Sequence, residues 1–110
     1  RTKEYFFLVA ETSPADDREG RMVGFIVGEI RAWEFGSAPC GWVWALSVDP
    51  DTRQQGVGEA MFQALCAEFK RAGVTKIRTM VARDNALPHS FFRGQGMMAG
   101  PYLQLEKELE

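Results

Sequence analysis

A change in the spacing of apolar residues near position 57 restricts the fold of this chain more than any other feature. Residues 42–48, WVWALSV, form a short apolar run rich in strand-forming residues. After a polar turn the apolar residues recur every three to four positions, which predicts an amphipathic helix. Its apolar face consists of Met61, Leu65, Cys66 and Phe69. Gly73 is placed to end the helix, and two more glycines, Gly56 and Gly58, stand where it begins.

Strand patterns on both sides of this unit predict a mixed sheet. Residues 4–11 and 21–33 are strand-like runs joined by a polar turn, which favours a hairpin. The helix connects Trp42–Val48 to a later strand pattern, and a connection of this kind makes the two strands parallel. We expect Lys76–Ala82 to be the parallel partner.

The C-terminal third is predicted from shorter patterns. Residues 74–82 are strand-like, a short helix is expected within residues 83–96, and residues 102–110 alternate as in a last strand. A chain of 110 residues suits one hydrophobic core. The predicted class is therefore α/β (α+β), with a single domain over residues 1–110.

Charge and composition argue against several kinds of partner. The formal net charge is -2 and the basic residues are scattered, so no nucleic-acid surface is evident. The long apolar stretches carry charges or glycines, which argues against a membrane span. Cys40 and Cys66 occur without a leader-like segment, so a reducing cytoplasm is expected. One histidine and two distant cysteines cannot supply a zinc ligand set, so we expect no metal.

The glycine turn before the helix has the features of an anion site. The first N–H groups of a helix lack intrahelical partners, the helix dipole adds positive charge, and glycines let phosphate oxygens approach. The turn is not a P-loop, because Gly58 is followed by Glu59-Ala60. It is not a dinucleotide fingerprint either, because Met61 stands where a third Gly or Ala is required. A turn that only reverses the chain is the alternative.

Two motifs of the chain have the order and spacing of a known family. One is Arg53-Gln54-Gln55-Gly56-Val57-Gly58, which fits the pattern Q/R-x-x-G-x-G/A, and the other is residues 85–97, NALPHSFFRGQGM. They resemble the pyrophosphate loop and the N-x-x-A-x-x-L-Y-x-x-x-G-F segment of the GNAT N-acetyltransferase superfamily. The resemblance covers roughly residues 22–108. It implies a twisted, mostly antiparallel mixed sheet whose central parallel pair splays where acetyl-CoA binds.

The resemblance also implies which residues contact the cofactor. These are Leu46, Ser47, Val48, Arg53, Gln54, Gln55, Gly56, Val57, Gly58, Glu59, Asn85 and Phe92. The N–H group of Leu46 would polarise the thioester carbonyl and stabilise the oxyanion while a primary amine attacks directly. Neither an acyl-enzyme nor a metal ion is then needed.

Proton transfer requires side chains that the motifs do not identify. A lysine-like amine, with a pKa of about 10.4, is almost fully protonated at pH 7, so a base must remove its proton. Glu29, on the strand beside the expected cleft, is our candidate base, followed by Glu34 and Asp49. A solvated carboxylate without a catalytic role is the alternative for each.

The leaving thiolate lacks the usual proton donor of the family, because Phe92 stands where many relatives have a tyrosine. Phenylalanine cannot donate a proton, so water, Ser90 or His89 would have to replace the tyrosine hydroxyl. The substitution motivates a second hypothesis, a non-catalytic acyl-CoA-binding or regulatory module. A third hypothesis is a small interaction domain whose glycine turn binds nothing.

Other candidate residues have structural as well as functional interpretations. Asn85 could cap the short helix, and Arg53 could be a solvated side chain. Cys40 and His89 lack the orienting third group of a thiol–imidazole pair. Three tryptophans could line an acceptor cleft or pack in the core: Trp33, Trp42 and Trp44.

The start of the chain affects what can be predicted about the acceptor. Full-length relatives open with a strand and two helices that help to build the acceptor pocket, whereas this chain begins with Arg1 and a strand pattern. We therefore expect that part of the fold to be absent here. The edge or apolar face exposed in this way would favour a homodimer, in addition to acetyl-CoA and an amine acceptor as partners.

Overall fold

The computed structural model describes residues 4–12, 20–32, 36 and 38–109, with the backbone alone for residues 4 and 53–55. Backbone contacts divide the chain into two compact units, Arg1–Met80 and Val81–Glu110. The first unit contains the strands β1 (Glu4–Glu11), β2 (Met22–Arg31), β3 (Cys40–Val48) and β4 (Ile77–Thr79), the 3-10 helix Pro50–Gln55 and the helix α1 (Val57–Arg71). The second unit contains the helix α2 (Ala86–Gly94).

The sheet has the strand order β1-β2-β3-β4 and contains both kinds of pairing. β1 and β2 form the predicted antiparallel hairpin, and β3 pairs antiparallel with β2. β3 and β4, which α1 connects, are parallel, as expected for a crossover connection. The prediction of a mixed sheet with one parallel pair is therefore confirmed.

α1 covers one face of this sheet and forms the core with it. Leu65 of α1 and Ile26 of β2 are completely buried. The ring of Phe69 packs edge to face on Phe6 of β1, with 5.4 Å between the ring centroids. The predicted apolar face of α1 is confirmed, with Cys66 only half-buried at its margin. Burying one such large apolar side chain stabilises the fold by about 1.5–3 kcal/mol.

Glycines of the sheet allow α1 to lie close to the strands. A Cβ atom on Gly28 would lie 2.9 Å from Cζ of Phe69 and 3.0 Å from Cδ2 of Leu65. A Cβ atom on Gly41 would overlap the ring of Phe69. Because protein interiors are close-packed, a side chain at either position would force α1 away from the sheet.

α1 ends as the sequence predicts. Gly73 has φ 87°, a left-handed conformation that glycine adopts without strain. Its N–H group donates to the Lys70 carbonyl, and the Val74 N–H group donates to the Phe69 carbonyl, both at 3.0 Å. These bonds satisfy carbonyl groups of the last helical turn.

The sheet face opposite α1 carries exposed aromatic side chains. Successive side chains of a strand alternate between the two faces, so Tyr5 and Phe7 point away from α1, on which Phe6 packs. Phe7 stacks on Phe25 of β2, with 5.8 Å between centroids. Glu29 pairs directly with Tyr5 and therefore lies on the same face.

Two strand predictions were wrong: one strand is shorter than predicted, and the other does not form. β4 covers Ile77–Thr79 instead of residues 74–82, because β3 pairs with it over three residues only, from Gly41 to Val43. Residues 102–109 form no strand, and their leucines are 86–89% exposed. Alternation of apolar residues produces a strand only where a partner strand and a face to bury exist.

Replacing Gly41 by alanine tests the close packing of α1. We expect Gly41→Ala to lower the free energy of unfolding by about 1–3 kcal/mol, because the new Cβ overlaps the Phe69 ring. Gly94→Ala is the matched control, since Gly94 lies in α2 with open space around it, and alanine there favours the helix by up to about 1 kcal/mol. Denaturant unfolding of both variants gives the comparison, and equal losses would contradict the close approach.

Candidate functional site

Two backbone hydrogen bonds show that β3 turns its N–H groups from one edge to the other. The Gly41 N–H group donates to the Lys76 carbonyl at 2.9 Å, toward the β4 side. The Asp49 N–H group, just after the strand, donates to the Val23 carbonyl at 2.7 Å, toward β2. N–H groups alternate between the two edges of an extended strand, so positions 41 and 49 of a regular strand would face the same edge.

A β-bulge at Trp44 accounts for the difference. Val43 pairs with Gly28, and Ala45 pairs with Val27, so Trp44 is the extra residue between them. An extra residue reverses the alternation for every later position of the strand.

The bulge directs the N–H groups of Leu46 and Val48 toward the β4 edge and that of Ser47 toward β2. Pairing with β4 ends at Thr79, whose Oγ1 donates to the Val43 carbonyl at 2.9 Å. In the described part of the chain, no strand pairs with this edge of β3 beyond Val43. The predicted parting of the parallel strands is therefore confirmed, and the donors of Leu46 and Val48 face the gap.

Asp49 organises the turn that follows β3. Its Oδ1 accepts a hydrogen bond from the Asp51 N–H group at 3.0 Å, and its carbonyl accepts from both the N–H group and the Oγ1 of Thr52. Its Oδ2 lies 3.9 Å from a guanidinium nitrogen of Arg21. Asp49, which we considered after Glu29 as a candidate base, therefore uses its carboxylate to cap the 3-10 helix.

α1 begins after a glycine in the left-handed conformation. Gly56 has φ 77° and ψ 16° and provides no side-chain cap. The Ala60 N–H group donates to the Gly56 carbonyl at 3.0 Å. The N–H groups of Val57, Gly58 and Glu59 precede this bond and have no intrahelical partner. Together with the helix dipole, they give this end of α1 the positive polarity that attracts an anion.

Four other predicted cofactor contacts lie in the 3-10 helix or in the first turn of α1. The backbone of Arg53, Gln54 and Gln55 lies in the 3-10 helix, whereas their side chains are outside the described part of the structure. The Glu59 carboxylate is exposed and accepts a hydrogen bond from Nε2 of Gln63 at 3.4 Å, one turn further along α1.

Glu29 is a buried carboxylate with a tryptophan hydrogen-bond donor. It is 6% exposed, and its Oε1 accepts a hydrogen bond from the indole Nε1 of Trp44. A buried charge is stabilised only when hydrogen bonds compensate for lost hydration. The bulge therefore supplies both the redirected backbone and the donor to this carboxylate. Glu34 and Trp33 lie outside the described residues.

Trp44 belongs to a group that we call the tryptophan cluster, formed by Glu29, Arg31, Trp42 and Trp44. The two indole rings are stacked, with 5.3 Å between centroids and 9° between planes. The Arg31 guanidinium carbon lies 5.7 Å from the Trp42 ring and 5.3 Å from the Trp44 ring, which is a cation–π distance. The spacing of Trp42 and Trp44 indicates a shared sheet face, but no sequence signal indicates the contact with Glu29.

In the second unit, Asn85 and Phe92 occupy the predicted helix. Asn85 stands at the N-cap position of α2, yet its exposed side chain makes no capping hydrogen bond. Phe92 is 8% exposed and packs edge to face on Phe91, with 5.2 Å between centroids. The capping alternative for the Asn85 side chain therefore does not hold.

The alternative acids also lie in the second unit. His89 and Ser90 line an open depression of about 570 Å³. The other lining residues are Arg83, Asp84, Ala86 and Arg93. Both hydroxyl and imidazole groups are thus placed at a surface that solvent reaches.

Other kinds of site find little support in the described part of the chain. Cys40 is buried, and its thiol donates to the Ala38 carbonyl at 3.5 Å. Burial raises the pKa of the Cys66 thiol more than the charge of Lys70 lowers it, so little thiolate exists at neutral pH. Among the described residues, no three His, Cys, Asp or Glu side chains gather as metal ligands. No helix found there has the length and apolar character needed to cross a bilayer.

Comparison with known sequences identifies relatives. A model of the acetyltransferase (GNAT) family matches residues 1–97. The L-2,4-diaminobutyric acid acetyltransferase of Nocardia farcinica is 30% identical over 92 residues, which are 84% of this chain and 46% of the relative. The chain thus spans about half the length of that curated relative.

Solved structures share the fold at low sequence identity. The aminoglycoside 6'-N-acetyltransferase AAC(6')-IG of Acinetobacter haemolyticus has a TM-score of 0.76 at 20% identity, covering 96% of this chain and 72% of that one. The aminoglycoside N-acetyltransferase AAC(6')-Iy, in complex with CoA, has a TM-score of 0.77 at 17% identity, covering 94% and 75%.

Two substitutions of Gly56 test the left-handed start of α1. We expect Gly56→Val to lower the free energy of unfolding by about 1–2 kcal/mol, because a β-branched residue is strained at this φ. Gly56→Asn should lose less, because asparagine tolerates the left-handed region and the space around the position is open. Thermal unfolding distinguishes them, and a Val variant as stable as the Asn variant would contradict this backbone conformation.

Proposed function

The chain belongs to the acetyltransferase (GNAT) family, and on this premise we propose that it is an N-acetyltransferase that moves an acetyl group from acetyl-CoA to a primary amine. The Nocardia relative is named for a diamino acid, and the structural neighbours are named for aminoglycosides. One of those neighbours holds CoA. These names support the amine of a small molecule as acceptor and acetyl-CoA as co-substrate, and the amine of a peptide or protein is the alternative acceptor.

The proposal rests on one observation, the set of backbone N–H donors along β3 and at the start of α1. In the proposed complex the N–H groups of Val57, Gly58 and Glu59 hold the pyrophosphate. The N–H groups of Leu46 and Val48, at the edge that β4 leaves, bind the pantetheine arm and the thioester. The remaining proposed contacts rest on the family resemblance alone, and they are Ser47, Arg53, Gln54, Gln55, Gly56, Asn85 and Phe92.

The proposed reaction is a direct transfer in a ternary complex. The Leu46 N–H group stabilises the negative charge that develops on the thioester oxygen. The amine nitrogen forms a bond to the acetyl carbon, the carbon–sulfur bond breaks, and the proton lost by the amine passes to Glu29. CoA leaves as a thiolate, which takes a proton from water, with Ser90 or His89 as the alternatives suggested by the sequence. No metal ion takes part.

The strand register indicates how Glu29 and Leu46 cooperate. Leu46 pairs with Ile26, which is three residues from Glu29 along β2. At about 3.4 Å per residue this separation is about 10 Å. We therefore propose that the acceptor amine lies between the two residues, with its nitrogen at the acetyl carbon and its proton directed toward Glu29.

Binding of CoA tests the cofactor half of the proposal. We expect isothermal calorimetry to show that the wild-type chain binds CoA and that Gly56→Val binds at least about tenfold more weakly, because a strained turn misplaces donors worth about 1.5–3 kcal/mol each. Gly56→Asn serves as the matched control and should retain more affinity. Absence of CoA binding by the folded wild-type protein would favour an interaction domain instead.

Turnover tests the catalytic half. Thiol release from acetyl-CoA is measured against a panel of primary amines, and Glu29→Gln should lower kcat by about 10²–10⁴ while CoA affinity is unchanged. Glu11→Gln, an exposed carboxylate at the end of β1, is the control and should retain kcat. If Glu29→Gln keeps full activity, another group is the base.

A second candidate function, a non-catalytic acyl-CoA-binding module, is favoured by one observation. Phe92 is buried and has no hydroxyl group with which to protonate the thiolate. A wild-type protein that binds CoA but acetylates no amine in the panel would support this module. In that case Phe92→Tyr would also leave turnover at zero, whereas an enzyme limited by thiolate protonation would gain rate.

A further inference from the structure

We propose that Trp44 is a positioning residue that holds the Glu29 carboxylate in the orientation needed to accept the proton of the amine. This role rests on the proposed acetyl transfer and adds to it a residue that orients the base for proton transfer. The indole Nε1–H group of Trp44 donates to Oε1 of Glu29. A donor fixed on one oxygen sets the rotation of the carboxylate about its terminal bond and hence the direction of its second oxygen.

The β-bulge is what brings Trp44 to the carboxylate. In the register of the sheet, Glu29 pairs with Trp42, whereas Trp44 occupies the inserted position. A bulge redirects the side chain of the inserted residue. The indole N–H group of Trp44 therefore reaches a carboxylate that is nearly inaccessible to water.

The neighbours of Trp44 keep its ring in place. Trp42 stacks on it almost in parallel, and the Arg31 guanidinium lies over both rings. Stacking and cation–π contacts each restrict rotation of the indole. A carboxylate held by a fixed donor has little freedom left to lose when the acceptor binds, and a misplacement of 1 Å is enough to cost about 10² in rate.

Paired tryptophan variants test the proposal against a merely structural role. We expect Trp44→Phe to lower kcat by about tenfold to a hundredfold with the KM for acetyl-CoA unchanged, since a smaller aromatic ring still occupies the position but the N–H donor to Glu29 is lost. Trp42→Phe is the matched control, because it makes the same change in the same stack without removing the donor to Glu29. Thermal unfolding of both variants shows whether the fold is retained.

A double-mutant cycle shows whether Trp44 acts through Glu29. In the Glu29→Gln background, Trp44→Phe should lower kcat no further, because the carboxylate that it positions is absent. Equal effects of Trp44→Phe and Trp42→Phe, or additive effects of Trp44→Phe and Glu29→Gln, would overturn the positioning role. If Glu29→Gln alone leaves kcat unchanged, both the base and its positioning residue are wrong, although acetyl transfer itself stands.

A measurement without turnover separates failure of the contact from failure of the reaction. The indole N–H resonances of the three tryptophans are observed in ¹⁵N-labelled protein, and the Trp44 signal is assigned by its loss in Trp44→Phe. We expect Glu29→Gln to move this signal more than that of Trp42. A Trp44 signal that does not move overturns the proposal. A signal that moves in a protein without acetyl transfer confirms the contact, and then the catalytic role of Trp44 falls together with the proposed reaction.

Discussion

One inserted residue in β3 determines which edge of the strand the N–H groups of Leu46 and Val48 face. Before the bulge, the Gly41 N–H group bonds toward β4, and after it, the Asp49 N–H group bonds toward β2. The strand can therefore remain paired with β2 along its length while Leu46 and Val48 direct their donors to the other edge. Without the insertion, these donors would face β2 and take part in ordinary sheet pairing.

The close packing of α1 on the sheet fixes the start of the helix, whose N–H groups are the other donors of the proposed site. Gly28 and Gly41 let the Phe69 ring approach the sheet, and Leu65 is completely buried beneath the helix. The start of α1 is held in this way at the end of the turn that follows β3. Donors that are fixed before a ligand arrives need no reorganisation when it binds, which is the condition for strong electrostatic stabilisation. Strand edge and helix start both belong to the first compact unit.

The sequence predicted the parts of the fold that depend on local patterns. The shift in apolar spacing located α1, Gly73 marked its end, and the helical connection required β3 and β4 to be parallel. The single domain over residues 1–110 stays a prediction, as do the roles of the site residues.

What the sequence could not predict depends on contacts between distant positions. The bulge at Trp44 follows from the register between two strands, and the apolar run of β3 gives no sign of it. The hydrogen bond from Trp44 to Glu29 depends on that bulge and was therefore missed. The alternation at residues 102–109 was misleading for the same reason, since the existence of a strand is decided by a partner elsewhere in the chain.

The claim that backbone donors of β3 and α1 form one acetyl-CoA site is tested most directly by amide NMR spectra of the ¹⁵N-labelled protein with two ligands. With CoA, the largest shifts should occur at the N–H groups of Val57, Gly58 and Glu59 and at those of Leu46 and Val48. With pantetheine, which carries no phosphate, only Leu46 and Val48 should shift. Amides of the helix start that stay unmoved when CoA binds elsewhere on the protein would contradict the claim.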